Sequence, residues 1–118
     1  MDEKRVEPRW QINQEAGLTV DGGVKPIPCL VEDISTRGMR ISMRRNLFPE
    51  VFSGFSLSLS DNFALDLNAQ VAWQDQRENR NIFGLVFDRA EESLRWKIQE
   101  YVKNSFPEIM IKQWWGRM

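Results

Sequence analysis

The sequence predicts a mainly β domain, a six-stranded antiparallel barrel followed by a C-terminal α-helix. Three observations lead there. Apolar residues alternate with period two through most of the chain after Trp10, turn residues cut that alternation into short pieces, and the period becomes helical after Arg89. A chain of 118 residues, 42% hydrophobic and 28% charged, suits one globular domain with its own core.

The first strand pair is read at Leu18 to Val20 and Pro28 to Ile34, flanking Asp21-Gly22-Gly23, which has turn chemistry. Met39-Arg40-Ile41-Ser42-Met43 is the third strand. Phe55-Ser56-Leu57-Ser58-Leu59-Ser60 alternates without a fault, Asp61-Asn62 turns the chain, and a long strand from Phe63 to Trp73 follows. That strand puts Leu65, Leu67, Ala69, Val71 and Trp73 on one face and Asp66, Asn68 and Gln70 on the other. Arg77 to Asn81 is polar and turn-like, and Ile82 to Phe87 completes about six strands, enough to close a small barrel and remove its edges.

From Glu91 to Ser105 the apolar residues Leu94, Ile98, Tyr101 and Val102 recur at helical spacing, with Glu91 and Arg95 placed as an i, i+4 pair. Asp88 is the expected N-terminal boundary and Pro107 the stop. The stripe is expected to pack over an opening or face of the barrel. The chain thus divides into a flexible segment (1–10), the barrel (11–89), the helix (90–106) and an apolar tail (107–118). That tail carries Trp114 and Trp115, is too short to span a bilayer, and either packs back or meets a partner.

Composition removes several chemistries. With no His and one Cys, Cys29, the chain lacks the parts of a zinc site, a Cys-His nucleophile, a Ser-His-Asp triad or an internal disulfide. No export signal or membrane span is read at the start of the chain, so the expected location is cytoplasmic. A net charge of -1 argues against general DNA or RNA binding. The arginines are nevertheless locally sorted: Lys4, Arg5 and Arg9 near the start, then Arg37, Arg40, Arg44 and Arg45. Such clusters suit a small anion, although singly each reads as solvated surface charge.

Two motifs matter as a pair. In Arg5-Val6-Glu7-Pro8-Arg9, Pro8 biases Glu7 to extended backbone, so the two guanidinium groups straddle an object up to about 13 Å across. Arginine stacks on purines, reaches their O6/N7 edge and pairs with phosphate oxygens. The second motif, Asp33-Ile34-Ser35-Thr36-Arg37-Gly38, joins two strands. With Ile34 facing the core, Asp33 and Ser35 face outward, and a carboxylate accepts from two donors at once, as the N1–H and N2–H2 edge of guanine presents. Gly38 permits a positive φ or a close backbone approach. Taken alone, this motif reads first as an ordinary Asp-Ser-Gly turn.

Together on a small barrel the motifs resemble the PilZ family, receptor domains for the bacterial second messenger cyclic di-GMP. The likeness rests on its RxxxR and (D/N)xSxxG signatures, here Arg5, Arg9, Asp33, Ser35 and Gly38, and extends to Val71-Ala72-Trp73, Phe83 to Phe87 and the C-terminal helix. It implies a PilZ-type barrel that holds cyclic di-GMP on its outer surface, with Arg5 and Arg9 on guanine rings and phosphates and Asp33, Ser35 and Gly38 at a guanine edge. Lys4 and Arg40 are further ligand candidates. Alternation puts Trp73 on the core face, whereas some members of the family stack an aromatic on guanine there; a bulge would decide between the two. The implied activity is signalling by change of shape or partner, in motility, exopolysaccharide or pilus control, without catalysis, metal or cofactor. A downstream protein partner and a homodimer are the expected associations.

The main alternative is a PilZ-like interaction module that binds no nucleotide, which the Trp114-Trp115 tail favours and the intact signature opposes. A single-stranded nucleic-acid binder would need a broad basic groove that the net charge disfavours.

Overall fold

The computed structural model describes residues 9–20, 23, 25–89 and 91–109. The strands are β1 (Trp10–Val20), β2 (Ile27–Ile34), β3 (Gly38–Met43), β4 (Phe55–Ser60), β5 (Phe63–Leu67), β6 (Ala69–Arg77) and β7 (Arg80–Phe87), followed by helix α1 (Glu92–Ser105). All seven strands join one antiparallel sheet in the order β5-β4-β1-β2-β3-β7-β6.

The fold is mainly β with a C-terminal helix, as expected, but the sheet has seven strands rather than six and is not closed. The seventh comes from a break at Asn68. The single long strand expected from Phe63 to Trp73 is two strands, β5 paired with β4 and β6 paired with β7. Asn68 leaves the ladder, and its carbonyl accepts a hydrogen bond from the Asp88 N–H at 2.8 Å. Alternation runs through the corner undisturbed, since Leu65, Leu67 and Ala69 are all buried. A periodicity that survives a corner cannot reveal it. Because one residue links the two edge strands, the sheet must roll until those edges approach each other at Asn68. They do not pair, so the roll stops short of a barrel.

β1 is also longer than the expected Leu18 to Val20, pairing with β2 on one side and β4 on the other. Inside the roll, Val31, Ile41, Leu57 and Phe83 are wholly buried. A 3-10 turn at Pro49–Ser53, which alternation does not signal, sends Phe52 into this core. Its ring meets Phe55 edge-on at 5.5 Å and Phe83 at 5.1 Å. The helix buries the expected stripe: Ile98 and Val102 are fully enclosed, and Tyr101 stacks on Phe63 with centroids 4.6 Å apart. It begins at Glu92 with Glu91, not Asp88, as its N-cap, and ends two residues before Pro107, consistent with proline biasing the chain out of helix ahead of it. Among the described residues no helix is long and apolar enough to cross a membrane.

Candidate ligand-binding site

Three irregularities in strand pairing fall at one level of the sheet. On β1, Gln11 pairs with Asp33 and Gln14 with Val31, so β1 gains a residue, and Asn13 there has φ 48°. On β2, Val31 pairs with Ile41 and Asp33 with Arg40, leaving Glu32 as the extra residue. On β6, Val71 pairs with Leu85 and Trp73 with Gly84, leaving Ala72 extra. An extra residue reverses which face the following side chain takes.

The bulge at Glu32 lets Val31 and Ile34, three positions apart, both point inward at 0% exposure. It thereby turns Asp33 to the outer face, opposite Arg40. The bulge at Ala72 does the same for Trp73, which is 42% exposed rather than buried with Leu67. The core-face reading of Trp73 is therefore wrong, and the bulge is the reason. Across the outer face the register aligns Gln11, Asp33, Arg40, Gly84 and Trp73 on successive strands.

Asp33 is the centre of this row. Arg40 NH2 lies 3.3 Å from Asp33 Oδ2, and Arg9 NH1 lies 3.7 Å from Asp33 Oδ1, close enough for charge attraction but too far for a hydrogen bond. Arg40 Nε stands 2.9 Å from Glu32 Oε1, a close ion pair without hydrogen-bond alignment. The Asp33 side chain is 7% exposed, and among the described residues its Oδ1 accepts no hydrogen bond. Burial raises the Asp33 pKa above its ordinary value, against the opposing pull of Arg40 and Arg9. The site therefore holds a shielded carboxylate with one acceptor unfilled, an arrangement that favours an incoming donor.

Ser35 and Gly38 build the turn beside it. The Ser35 hydroxyl oxygen accepts from the backbone N–H groups of Arg37 at 3.1 Å and Gly38 at 3.2 Å, while the Ser35 N–H donates to the Gly38 carbonyl at 2.8 Å. Ser35 is thus buried and committed to the turn rather than presented outward. Gly38 is needed for close approach, not for a left-handed φ: a Cβ there would collide with the carbonyl oxygen of Leu85. The Arg37 carbonyl accepts from the Phe87 N–H at 2.9 Å, tying the turn to β7.

At the other end of the row, the Trp73 indole covers Gly84, where any Cβ would run into the ring. Gly84 is a site residue that the sequence reading passed over. Its signal was present, since glycine inside an apolar strand marks a bulge or a close approach. Arg9, Asp33, Arg40 and Trp73 are therefore gathered on one face, with Ser35 and Gly38 in the adjoining turn. Lys4, Arg5 and the Trp114-Trp115 tail lie outside the described residues.

Residues 3–104 match the PilZ domain family. The chain is a PilZ domain. Among solved structures it is similar to the PilZ domain of YcgR from Escherichia coli with c-di-GMP, at 13% identity and a TM-score of 0.69, covering 94% of this chain and 98% of that one. YcgR from Escherichia coli in complex with c-di-GMP gives 14% identity and a TM-score of 0.68 over 94% of this chain, which spans half the length of that one. A tetrameric PilZ protein from Xanthomonas campestris gives 18% identity and a TM-score of 0.58, covering 75% of this chain and 51% of that one. No curated protein matches the chain significantly. At these identities the likeness fixes the PilZ fold, and the ligand must be argued from this domain's own residues.

Proposed function

We propose that this PilZ domain is a receptor for cyclic di-GMP, held on the outer face of the sheet by Arg5, Arg9 and Asp33, with Ser35 and Gly38 building the turn beside them and Arg40 and Trp73 completing the surface. The observation that carries the reading is Asp33: a shielded carboxylate with an unfilled Oδ1, flanked by Arg9 and Arg40. The N1–H and N2–H2 of guanine are a matched pair of donors for such a carboxylate. Adenine offers no such edge, so Asp33 selects guanine over adenine. Trp73, exposed beside Gly84 on the same face, offers a ring for a base to stack on. Arg9, 64% exposed, is free to swing between Asp33 and a phosphate, and Arg5 and Lys4 add charge from the same segment.

In this reading Ser35 and Gly38 act by fixing the loop that aims Asp33. The signal passes on as a change in the arginine segment, which a dianion draws onto the sheet, altering what a protein partner meets. The structures of YcgR with c-di-GMP support the ligand's identity. A thermal melt tests the reading simply. Cyclic di-GMP at about a hundred times its dissociation constant adds roughly 2.7 kcal/mol of stability, whereas at equal concentration GTP, with a single guanine, shifts the midpoint less and cyclic di-AMP leaves it unmoved. Equal shifts from all three would contradict it.

A further inference from the structure

We infer that this domain carries a second binding site, further along β3 and β7, for a small organic anion bearing a phosphate-like group on an apolar body. Arg44, Arg45 and Arg80 line a depression of about 710 Å³ whose floor includes Pro28, Cys29 and Leu30, with Glu15 also in its lining. The volume lies in the roughly 300–1,000 Å³ range of small-molecule clefts. Three arginines against one glutamate leave the lining with two net positive charges. Among the described residues none of these arginines is in an ion pair, whereas Arg40 and Arg77 on neighbouring strand positions are paired with Glu32 and Asp75.

Arg80 is fixed in place rather than waving in solvent. It is half-buried, with Nε donating to Ser42 Oγ and NH2 donating to the Ser42 carbonyl, both at 3.2 Å. Two of its five N–H donors are thereby used, and the others remain for a ligand. Asn81 Nδ2 donates to the Arg44 carbonyl at 3.3 Å, holding the backbone that carries Arg44 and Arg45 against β7. Burial pushes the Cys29 thiol up to about 11, so the floor is neutral at physiological pH. A neutral floor under three like charges fits a molecule with an apolar body and an anionic head, whose charge also relieves the mutual repulsion of the guanidinium groups. Arg44 follows Arg40 by four residues, so the cleft lies about 13 Å along the strand from the Asp33 site and is built from different side chains.

The test is a titration of the ¹⁵N-labelled full chain with phenyl phosphate, following backbone amides and arginine Nε–H signals by NMR. The expected result is saturable shifts at Arg44, Arg45, Arg80 and Leu30, with benzyl alcohol producing none. Arg44→Gln, an exposed change, lowers the affinity about five-fold while cyclic di-GMP binding changes less than two-fold. Arg80→Gln does the same more strongly if it folds, and Arg44→Gln decides if it does not. The inference is overturned if no localised shifts appear, if benzyl alcohol gives the same shifts, if Arg44→Gln binds as tightly as the parent, or if the shifts are confined to Arg9 and Arg40. The first three outcomes leave the cyclic di-GMP reading untouched, because it rests on other residues, and shifts confined to Arg9 and Arg40 place the phosphate in that site instead.

Discussion

The indole of Trp73 occupies the space that a side chain on Gly84 would need. The two residues are register partners across β6 and β7, and the absent side chain of one lets the other lie close to the sheet. Gly84 also pairs with Arg40 on its other side, so the Trp73 ring lies one strand beyond the Asp33–Arg40 pair.

Gly84→Ala is therefore expected to act at a distance from Asp33. A methyl group at that position displaces the Trp73 ring, costs about 1–3 kcal/mol through overpacking, and weakens cyclic di-GMP binding about ten-fold. Calorimetry together with tryptophan fluorescence checks this. An unchanged dissociation constant would remove Trp73 from the ligand surface.

Asp33 sets a pH dependence whose sign is determined. Its folded-state pKa is raised above the ordinary 3.8 by burial, so the folded protein holds the proton more tightly than the unfolded chain. Its contribution favours folding at low pH and declines as pH rises from 3.8 through the folded value. Asp33→Asn removes that decline in urea melts across the window. Guanine donors stabilise the ionised carboxylate, so binding lowers the Asp33 pKa and affinity rises with pH over the same range. Carboxyl ¹³C shifts with and without ligand check the direction, and a pKa unmoved by ligand would contradict the contact.

Ser35→Ala leaves the N–H groups of Arg37 and Gly38 without their shared acceptor in a buried turn, an expected loss of about 1–3 kcal/mol. Gly38→Ala drives a methyl into the Leu85 carbonyl and is expected to cost at least as much. Chemical denaturation measures both. If either variant keeps parental stability while losing ligand, that residue touches the nucleotide instead of building the loop.

Arg9→Ala separates binding from folding in the opposite sense. The side chain is 64% exposed and among the described residues makes one long ion pair, so the melting midpoint stays within about a degree while cyclic di-GMP affinity falls at least ten-fold. A fall in stability with intact binding would reverse the assignment.

Much of this was legible in the sequence because the signals are local. Alternation marked most strands, helical spacing marked Ile98, Tyr101 and Val102, and the second motif pointed to the stretch that carries Asp33, Ser35 and Gly38. What escaped is governed by pairing between distant residues. The corner at Asn68 preserves alternation on both sides, so one strand was read where two lie at opposite edges. The extra residue at Ala72 is defined only against Leu85 and Gly84, and without it Trp73 falls on the wrong face. Ser35 was expected outward because strand parity says nothing of the turn N–H groups that claim its hydroxyl.

The most direct measurement is a calorimetric titration of cyclic di-GMP into the parent and into Asp33→Ala, with cyclic di-AMP as the adenine control. The expected result is saturable binding by the parent, loss of at least ten-fold in affinity without Asp33, and no binding of cyclic di-AMP. Equal affinity of parent and Asp33→Ala, or equal binding of the adenine dinucleotide, would contradict it.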